Sequence, residues 1–169
     1  NEAYRKRVLL DERNKTASKN LERVQKEQYG GVEATINSEM ERINATLYSE
    51  KVNPPILHLA GNSYEFFTQD DTGTGIAYKG LVVYDLAIAS LTKLPILVHD
   101  SLILKQISDE AVENILVRYM ESGKQVIISL DKQDSYSKRT AEILEKRCVL
   151  HLAPNGRELF GRAWSRQET

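Results

Sequence analysis

A carboxylate at the end of a short apolar run is the first feature of this sequence that could do chemistry. Residues 96–101 have the sequence ILVHDS, so that Asp100 closes a segment with the composition of a buried strand. An aspartate in this position can hold Mg²⁺, directly or through water, beside the phosphates of a nucleotide. Aspartate at a strand end also commonly caps the loop that follows. Spacing alone leaves both roles open for Asp100.

A second candidate is a polar, glycine-containing segment that precedes a helical pattern further upstream. Its four residues are Thr72, Gly73, Thr74 and Gly75. Free backbone N–H groups at the start of a helix, together with the helix dipole, can receive an anion such as a terminal phosphate. The segment matches neither the P-loop pattern nor the dinucleotide-binding pattern. A plain flexible linker is the alternative interpretation.

The three histidines all lie in segments with a strand pattern, and no two of them have the spacing of metal ligands. Structural roles are therefore expected for His58 and His151. His99 is a candidate because it directly precedes Asp100. Since side chains alternate across a strand, the two residues point to opposite faces and cannot act as a simple dyad while the strand continues.

Ser101 and Asp131 complete the set of candidate site residues. Ser101 follows Asp100 but has no identifiable base, which makes a serine hydrolase a poor interpretation. Asp131 follows the next apolar strand pattern, where it is either a turn residue or a contact to phosphate. A metal-dependent nuclease with Asp100 and Asp131 as ligands is a further hypothesis, although no third acidic ligand has a clear spacing.

The first 53 residues predict a helical, coiled-coil-like arm. Residues 1–29 are dense in charged and amide side chains, with a thin apolar stripe at helical spacing. Gly30 and Gly31 are predicted to interrupt the helix. Residues 32–47 repeat apolar side chains in steps of three or four, which predicts a face that packs. The Pro-Pro pair that follows Asn53 ends helical structure, so we expect an arm over 1–53 and a second domain over 54–169.

The second domain alternates between strand and helix patterns, which predicts an α/β fold with a parallel sheet core, flanking helices and antiparallel hairpin additions. The predicted strands are 56–59, 64–68, 95–100, 125–130, 148–152 and 158–163, and the predicted helices are 76–93, 109–121 and 135–146. Ligands of such folds gather outside the carboxyl ends of the parallel strands. Asp100 and Asp131 are both predicted to lie at that edge.

Composition places the chain among ordinary soluble proteins. Its 169 residues are 41% hydrophobic and 28% charged, with a formal net charge of −1. This balance argues against binding of nucleic acid through the bulk charge of the surface and leaves DNA contact to a local patch. The single cysteine, Cys148, lies in an apolar run, where we expect a buried structural thiol. There is no leader pattern and no uninterrupted apolar stretch of about 20 residues, so the expected location is the cytoplasm and no membrane partner is expected.

The order of these features resembles the C-terminal half of an SMC- or RecF-like ABC ATPase: a coiled-coil arm, a glycine-containing loop that opens a helix, an apolar strand ending in aspartate, and a further strand. More narrowly, residues 84–87 (YDLA), 96–101 (ILVHDS) and 123–128 (GKQVII) are similar to the C-terminal domain of unknown function of bacterial YydD-type coiled-coil ATPases. The resemblance covers about residues 56–132 and extends over the arm. It implies the C-terminal lobe of an ABC-type P-loop NTPase.

This resemblance also implies roles for the candidate residues. Asp100 would be the Walker B aspartate that holds Mg²⁺, and Thr72 to Gly75 would stand where the ABC signature contacts the γ-phosphate of ATP bound to the partner subunit. Ser101 occupies the place of the usual catalytic glutamate, so hydrolysis is expected to be slow, absent or served by another carboxylate. The Walker A loop is missing and is expected in an N-terminal lobe of a larger parent protein. ATP and Mg²⁺ are therefore expected as cofactors of the parent, with weak or no binding to this chain alone.

Two functions from different classes follow from this sequence. In the first, two heads, the globular ATP-binding parts of two parent chains, close around ATP as a homodimer, and the arm transmits this closure. In the second, the chain is a non-enzymatic oligomerisation or protein-interaction module that uses the arm and the apolar face over residues 32–47.

Overall fold

The structure, a computed structural model, describes residues 2–131, 135–153 and 156–161. They belong to two compact units, Asn1–Asp131 and Lys132–Thr169. The first unit contains the helices and strands α1 (Glu2–Asn44), β1 (Pro55–Ala60), β2 (Ser63–Thr68), α2 (Thr74–Leu91), β3 (Ile96–His99), α3 (Ser101–Leu104), α4 (Asp109–Glu121) and β4 (Gln125–Ile128), and the second contains α5 (Lys138–Arg147). The predicted mixed α/β class, with a long N-terminal helix, is confirmed.

Helix α1 runs without a break through Gly30 and Gly31, so the predicted interruption is wrong. A glycine inside a helix costs only about 1 kcal/mol relative to alanine. A helix of 43 residues tolerates two glycines because extension of the helix adds a backbone hydrogen bond for each further residue that becomes helical.

The C-terminal part of α1 packs against β1 and α2. Ile36, Met40, Ile43 and the following Leu47 are buried, as the apolar spacing predicts. Val32 was expected on the same face but is 48% exposed, because the packed surface begins about one turn later.

Strands β1 and β2 form the predicted antiparallel hairpin, in which Leu57 lies opposite Phe66. Gly61 has a φ of +56° in the tight turn, a conformation that glycine adopts readily. The free edge of β1 is covered by α1. Asn37 Nδ2 donates to the carbonyl of Leu57 over 2.9 Å, and the Leu57 N–H donates back to Asn37 Oδ1 over 2.8 Å. Since unpaired strand edges invite unwanted pairing, these contacts also protect the hairpin.

Strands β3 and β4 form the parallel pair, in which His99 lies opposite Ile128. Leu97 and His99 face the interior, where α2 packs, whereas Val98 is 66% exposed and Ile127 is 48% exposed. The parallel sheet therefore exists over two strands within the described residues, and one of its faces is apolar and open.

Helix α2 buries Val82, Val83 and Leu86 against the rest of the first unit. Among the described residues it is the one helix whose length and apolar composition would suffice to cross a membrane, a test that the core helix of a soluble protein also passes. Its packing on α1, β2 and β3 gives it the contacts of a core helix.

The second unit differs most from the predictions. The helix forms over Lys138–Arg147, but the strand expected at 148–152 does not, and this segment is exposed. Among the described residues of its own unit it has no partner strand, and Ala153 and Arg157 form an isolated bridge. Residues 158–161 are likewise not a strand, and the rest of that predicted strand, 162–163, lies outside the described residues. Cys148, expected to be buried, is exposed for the same reason.

Candidate functional site

Asp100 lies at the carboxyl edge of the β3–β4 pair, held by two donors. Its Oδ1 accepts a hydrogen bond from the Ser129 hydroxyl over 2.6 Å and from the Ser101 N–H over 2.7 Å. The Ser129 N–H donates to the carbonyl of His99 over 3.1 Å, which extends the ladder past the end of β4. Asp100 is thus the N-cap of α3, one of its two predicted roles, and it remains exposed at the sheet edge.

The hydrogen bond from Ser129 is the main reason that the pKa of Asp100 lies below its usual range, followed by the bond from the Ser101 N–H. The charge of Lys105 acts in the same direction. Lys105 also forms an ion pair with Asp131. The structure therefore brings both predicted aspartates into the neighbourhood of one lysine, and Asp100 is ionised at neutral pH.

His99 lies behind this edge, where it is only 3% exposed. Its Nε2 is 2.9 Å from Asp85 Oδ2 on α2, and its Nδ1 is 2.5 Å from the hydroxyl oxygen of Tyr119 on α4. A ring that donates from Nε2 and accepts at Nδ1 satisfies both contacts. Burial, and then the charge of Asp85, raises the pKa of Tyr119, so its hydroxyl stays protonated and available as the donor. His99 therefore fastens the end of β3, next to Asp100, to helices α2 and α4.

The segment from Thr72 to Gly75 ends at the first turn of α2. Gly73 is the N-cap, and its N–H donates to Asp71 Oδ1 over 2.9 Å. A Cβ on Gly75 would lie 2.5 Å from the carbonyl oxygen of Gln106, just beyond α3, so only glycine fits there. The loop consequently contacts the chain that follows Asp100. The carboxylate of Asp71 already lies at this helix start, where an incoming phosphate would meet its charge.

No group of three or more His, Cys, Asp or Glu side chains is placed to hold a metal ion in the part of the chain that the structure describes. Mg²⁺ in nucleotide sites is commonly held by one or two carboxylates, with phosphates and water supplying the other oxygens. Asp100 beside the Ser129 hydroxyl fits such a partial site. Asp131 engages Lys105, which leaves a two-aspartate nuclease centre without support from the described residues.

Residues 35–164 match a protein family described as "Uncharacterised protein conserved in bacteria (DUF2326)". The chain belongs to this family. No curated protein matches it. The matched range of the DUF2326 domain begins in the packed end of α1 and includes both two-stranded sheets and all candidate site residues.

Sequence reasoning missed a buried charge in this DUF2326 domain. Lys79 on α2 has no exposed surface, and its Nζ is 2.7 Å from Asn44 Oδ1 and 3.2 Å from the carbonyl oxygen of Asn53. Burial lowers the pKa of Lys79 to about 8, against the opposing effect of Asp71. A lysine in the second turn of a mostly apolar helix was the available signal. Ser129 and Tyr119 gave none, because they are brought to the site only by folding, and Asp85 entered only as part of the motif at residues 84–87.

Proposed function

We propose that this DUF2326 domain is the C-terminal half of an ABC-type ATPase head of the SMC- and RecF-like kind, as in YydD-type coiled-coil ATPases, with Asp100 as its Walker B aspartate. The observation that carries the proposal is an exposed, ionised Asp100 at the carboxyl edge of two adjacent parallel strands. This is the edge at which α/β folds bind nucleotides.

The open face of the parallel sheet supports the proposal. Ile96, Val98 and Ile127 expose 41%, 66% and 48% of their surfaces, although parallel sheets are almost always covered on both faces. A further lobe would bury these side chains. In the proposed function this partner is the N-terminal lobe of the parent protein, which supplies the Walker A loop.

Asp100 would hold Mg²⁺ directly or through water, and the Ser129 hydroxyl fixes the carboxylate for that contact. The bound ion would neutralise charge on the β- and γ-phosphates of ATP. Ser101 cannot act as a carboxylate base at the position that follows, so we propose slow turnover and a cycle in which ATP mainly closes two heads into a homodimer. Thr72 to Gly75 would contact the γ-phosphate on the partner subunit. The proposed location of the parent protein is the cytoplasm.

The test uses the parent protein that contains both lobes. ATP-dependent dimerisation and the ATPase rate are measured with Mg²⁺ for the wild type, for Asp100→Asn and for the exposed control Asp109→Asn. We expect dimerisation by the wild type and the control and its loss in Asp100→Asn. A parent protein that neither binds ATP nor associates in its presence would sink the proposal.

The alternative function, a non-enzymatic oligomerisation module, is favoured by a different observation. Helix α1 exposes apolar side chains along its N-terminal part, among them Tyr4 at 69%, Leu21 at 59% and Val24 at 44%. In this case the chain self-associates without nucleotide, and the double variant Leu21→Ser, Val24→Ser becomes monomeric in sedimentation experiments. Asp100→Asn would then leave every property of the parent protein unchanged.

A further inference from the structure

Lys79 is the most buried charge among the described residues and has no part in the proposed nucleotide chemistry. Its side chain is fully enclosed, in a helix whose inner face is otherwise apolar. Burying an ammonium group costs several kcal/mol unless hydrogen bonds compensate. The groups that the amine contacts must therefore offset this cost.

The amine contacts three residues of the connector, defined here as residues 44–53, from the last residue of α1 to the residue before the two prolines. Its Nζ donates to Asn44 Oδ1 and to the carbonyl of Asn53, the first and last residues of the connector. It also lies 5.8 Å from the centre of the Tyr48 ring. Asn44 in turn donates from Nδ2 to the carbonyl of Val52 over 2.7 Å, so a single amide closes the connector on itself and binds Lys79.

At the other end of this contact lies the start of α2. Lys79 is four residues beyond Gly75, which corresponds to about 6 Å along a helix. Gly75 is packed against Gln106 without room for a side chain. Lys79 therefore joins the base of α1 and the connector to the first turns of α2, the helix that begins within the segment from Thr72 to Gly75.

We propose that Lys79 is a positioning residue that ties the base of the arm to α2 and so sets the placement of the segment from Thr72 to Gly75. The inference rests on the proposed function, in which that segment contacts ATP on the partner subunit. Movement of the arm relative to α2 then changes how well two heads close, and head closure in turn acts on the arm through the same contact. Coupling of this kind is typically worth a 5- to 150-fold change in affinity.

The test measures ATP affinity and ATP-dependent dimerisation of the parent protein separately. Lys79→Met keeps the length of the side chain but removes the charge and the donor. We expect dimerisation to weaken about tenfold while ATP affinity stays within about twofold of the wild type. The matched control is Lys93→Met, which removes an exposed lysine and should leave both values unchanged.

A pair of substitutions at Asn44 separates coupling from general damage to the fold. Asn44→Asp keeps an acceptor for Lys79 but loses the donor to Val52, whereas Asn44→Leu loses both. We expect Asn44→Asp to dimerise far better than Asn44→Leu, and Asn44→Leu to add little further loss to Lys79→Met. This pair decides the question even where Lys79→Met fails to fold.

Two results overturn the inference: a folded Lys79→Met protein that dimerises like the wild type, or equal dimerisation by the two Asn44 variants. Asp100→Asn reports on the proposed function independently. If Asp100→Asn abolishes dimerisation and the Lys79 and Asn44 variants do not affect it, only the role of Lys79 falls. If Asp100→Asn is also without effect, the nucleotide function falls with it.

Discussion

The two ends of helix α1 have the same secondary structure but are stabilised in different ways. All of residues 2–28 are exposed, and we call them the exposed half. Residues 33–44, the packed half, bury Ile36, Met40 and Ile43 and bind the edge of β1. Isolated helices depend on local propensity, while most helices in proteins depend on the packing of one face. The contrast predicts that similar substitutions have large effects in one half and small effects in the other.

The largest difference should come from truncating apolar side chains. Met40 is fully buried, so Met40→Ala should lower the free energy of unfolding by about 4 kcal/mol, through lost burial and a cavity. Leu21 is 59% exposed, and Leu21→Ala should change it by less than about 0.5 kcal/mol. Urea unfolding followed by circular dichroism measures both. Equal effects would show that the two halves are stabilised in the same way.

The next effect is a pH dependence at the end of the packed half, where Asn44 binds Lys79. The pKa of Lys79 is about 8 in the folded chain, against 10.5 as its ordinary value. Between these values the folded chain has released a proton that the unfolded chain still binds, so the free energy of unfolding rises with pH, by roughly 3 kcal/mol in total. Below pH 8 this gain is absent. The charge of Asp71 opposes the shift.

Unfolding experiments from pH 7.5 to 10.5 check this pH dependence by difference. Lys79→Met should lack the rise, because it has no group to titrate at that position. Lys93→Met should retain it, since Lys93 is exposed. A rise of equal size in Lys79→Met would assign it to other groups and refute the prediction for Lys79.

A smaller effect is expected from the amide that covers β1. Asn37→Ala leaves the N–H and C=O of Leu57 without their partners and should cost about 2 kcal/mol. Asn20→Ala, in the exposed half, should be neutral or slightly stabilising because alanine is the better helix former. Hydrogen exchange of the Leu57 amide gives a local readout, and unchanged protection in Asn37→Ala would contradict the role assigned to Asn37.

The smallest effect lies between the two halves, at the glycine pair. A Cβ on Gly30 or Gly31 would meet no atom within 4 Å, and both residues are helical. Each substitution by alanine should therefore raise the free energy of unfolding by about 0.5 to 1 kcal/mol, as measured by urea unfolding. A loss of stability in Gly30→Ala would instead reveal a hinge at the position where the sequence suggested a break.

Features of this fold that depend on neighbouring residues in the sequence can be predicted from it, whereas contacts between distant residues cannot. The bounds of α4, 109–121, are predicted correctly, and the helix buries Ala111, Val112, Ile115, Leu116 and Tyr119 at helical spacing. The placement of Asp100 at a strand end is also predicted. The Asn44–Lys79 contact joins residues 35 apart in sequence, and no pattern along the chain indicates such a pair. The strand expected at 148–152 has the right composition, yet a strand forms only where a neighbouring strand supplies its hydrogen bonds.

The open apolar face of the β3–β4 pair has a practical consequence for work with this chain. Val98 and Ile127 lie side by side on it, and within the described residues neither strand has a neighbour on its outer edge. Exposed strand edges beside apolar side chains promote aggregation through edge-to-edge pairing. A chain produced by itself should therefore aggregate as its concentration rises. Work at low concentration, or co-expression of a lobe that covers this face, distinguishes such aggregates from nucleotide-dependent dimers.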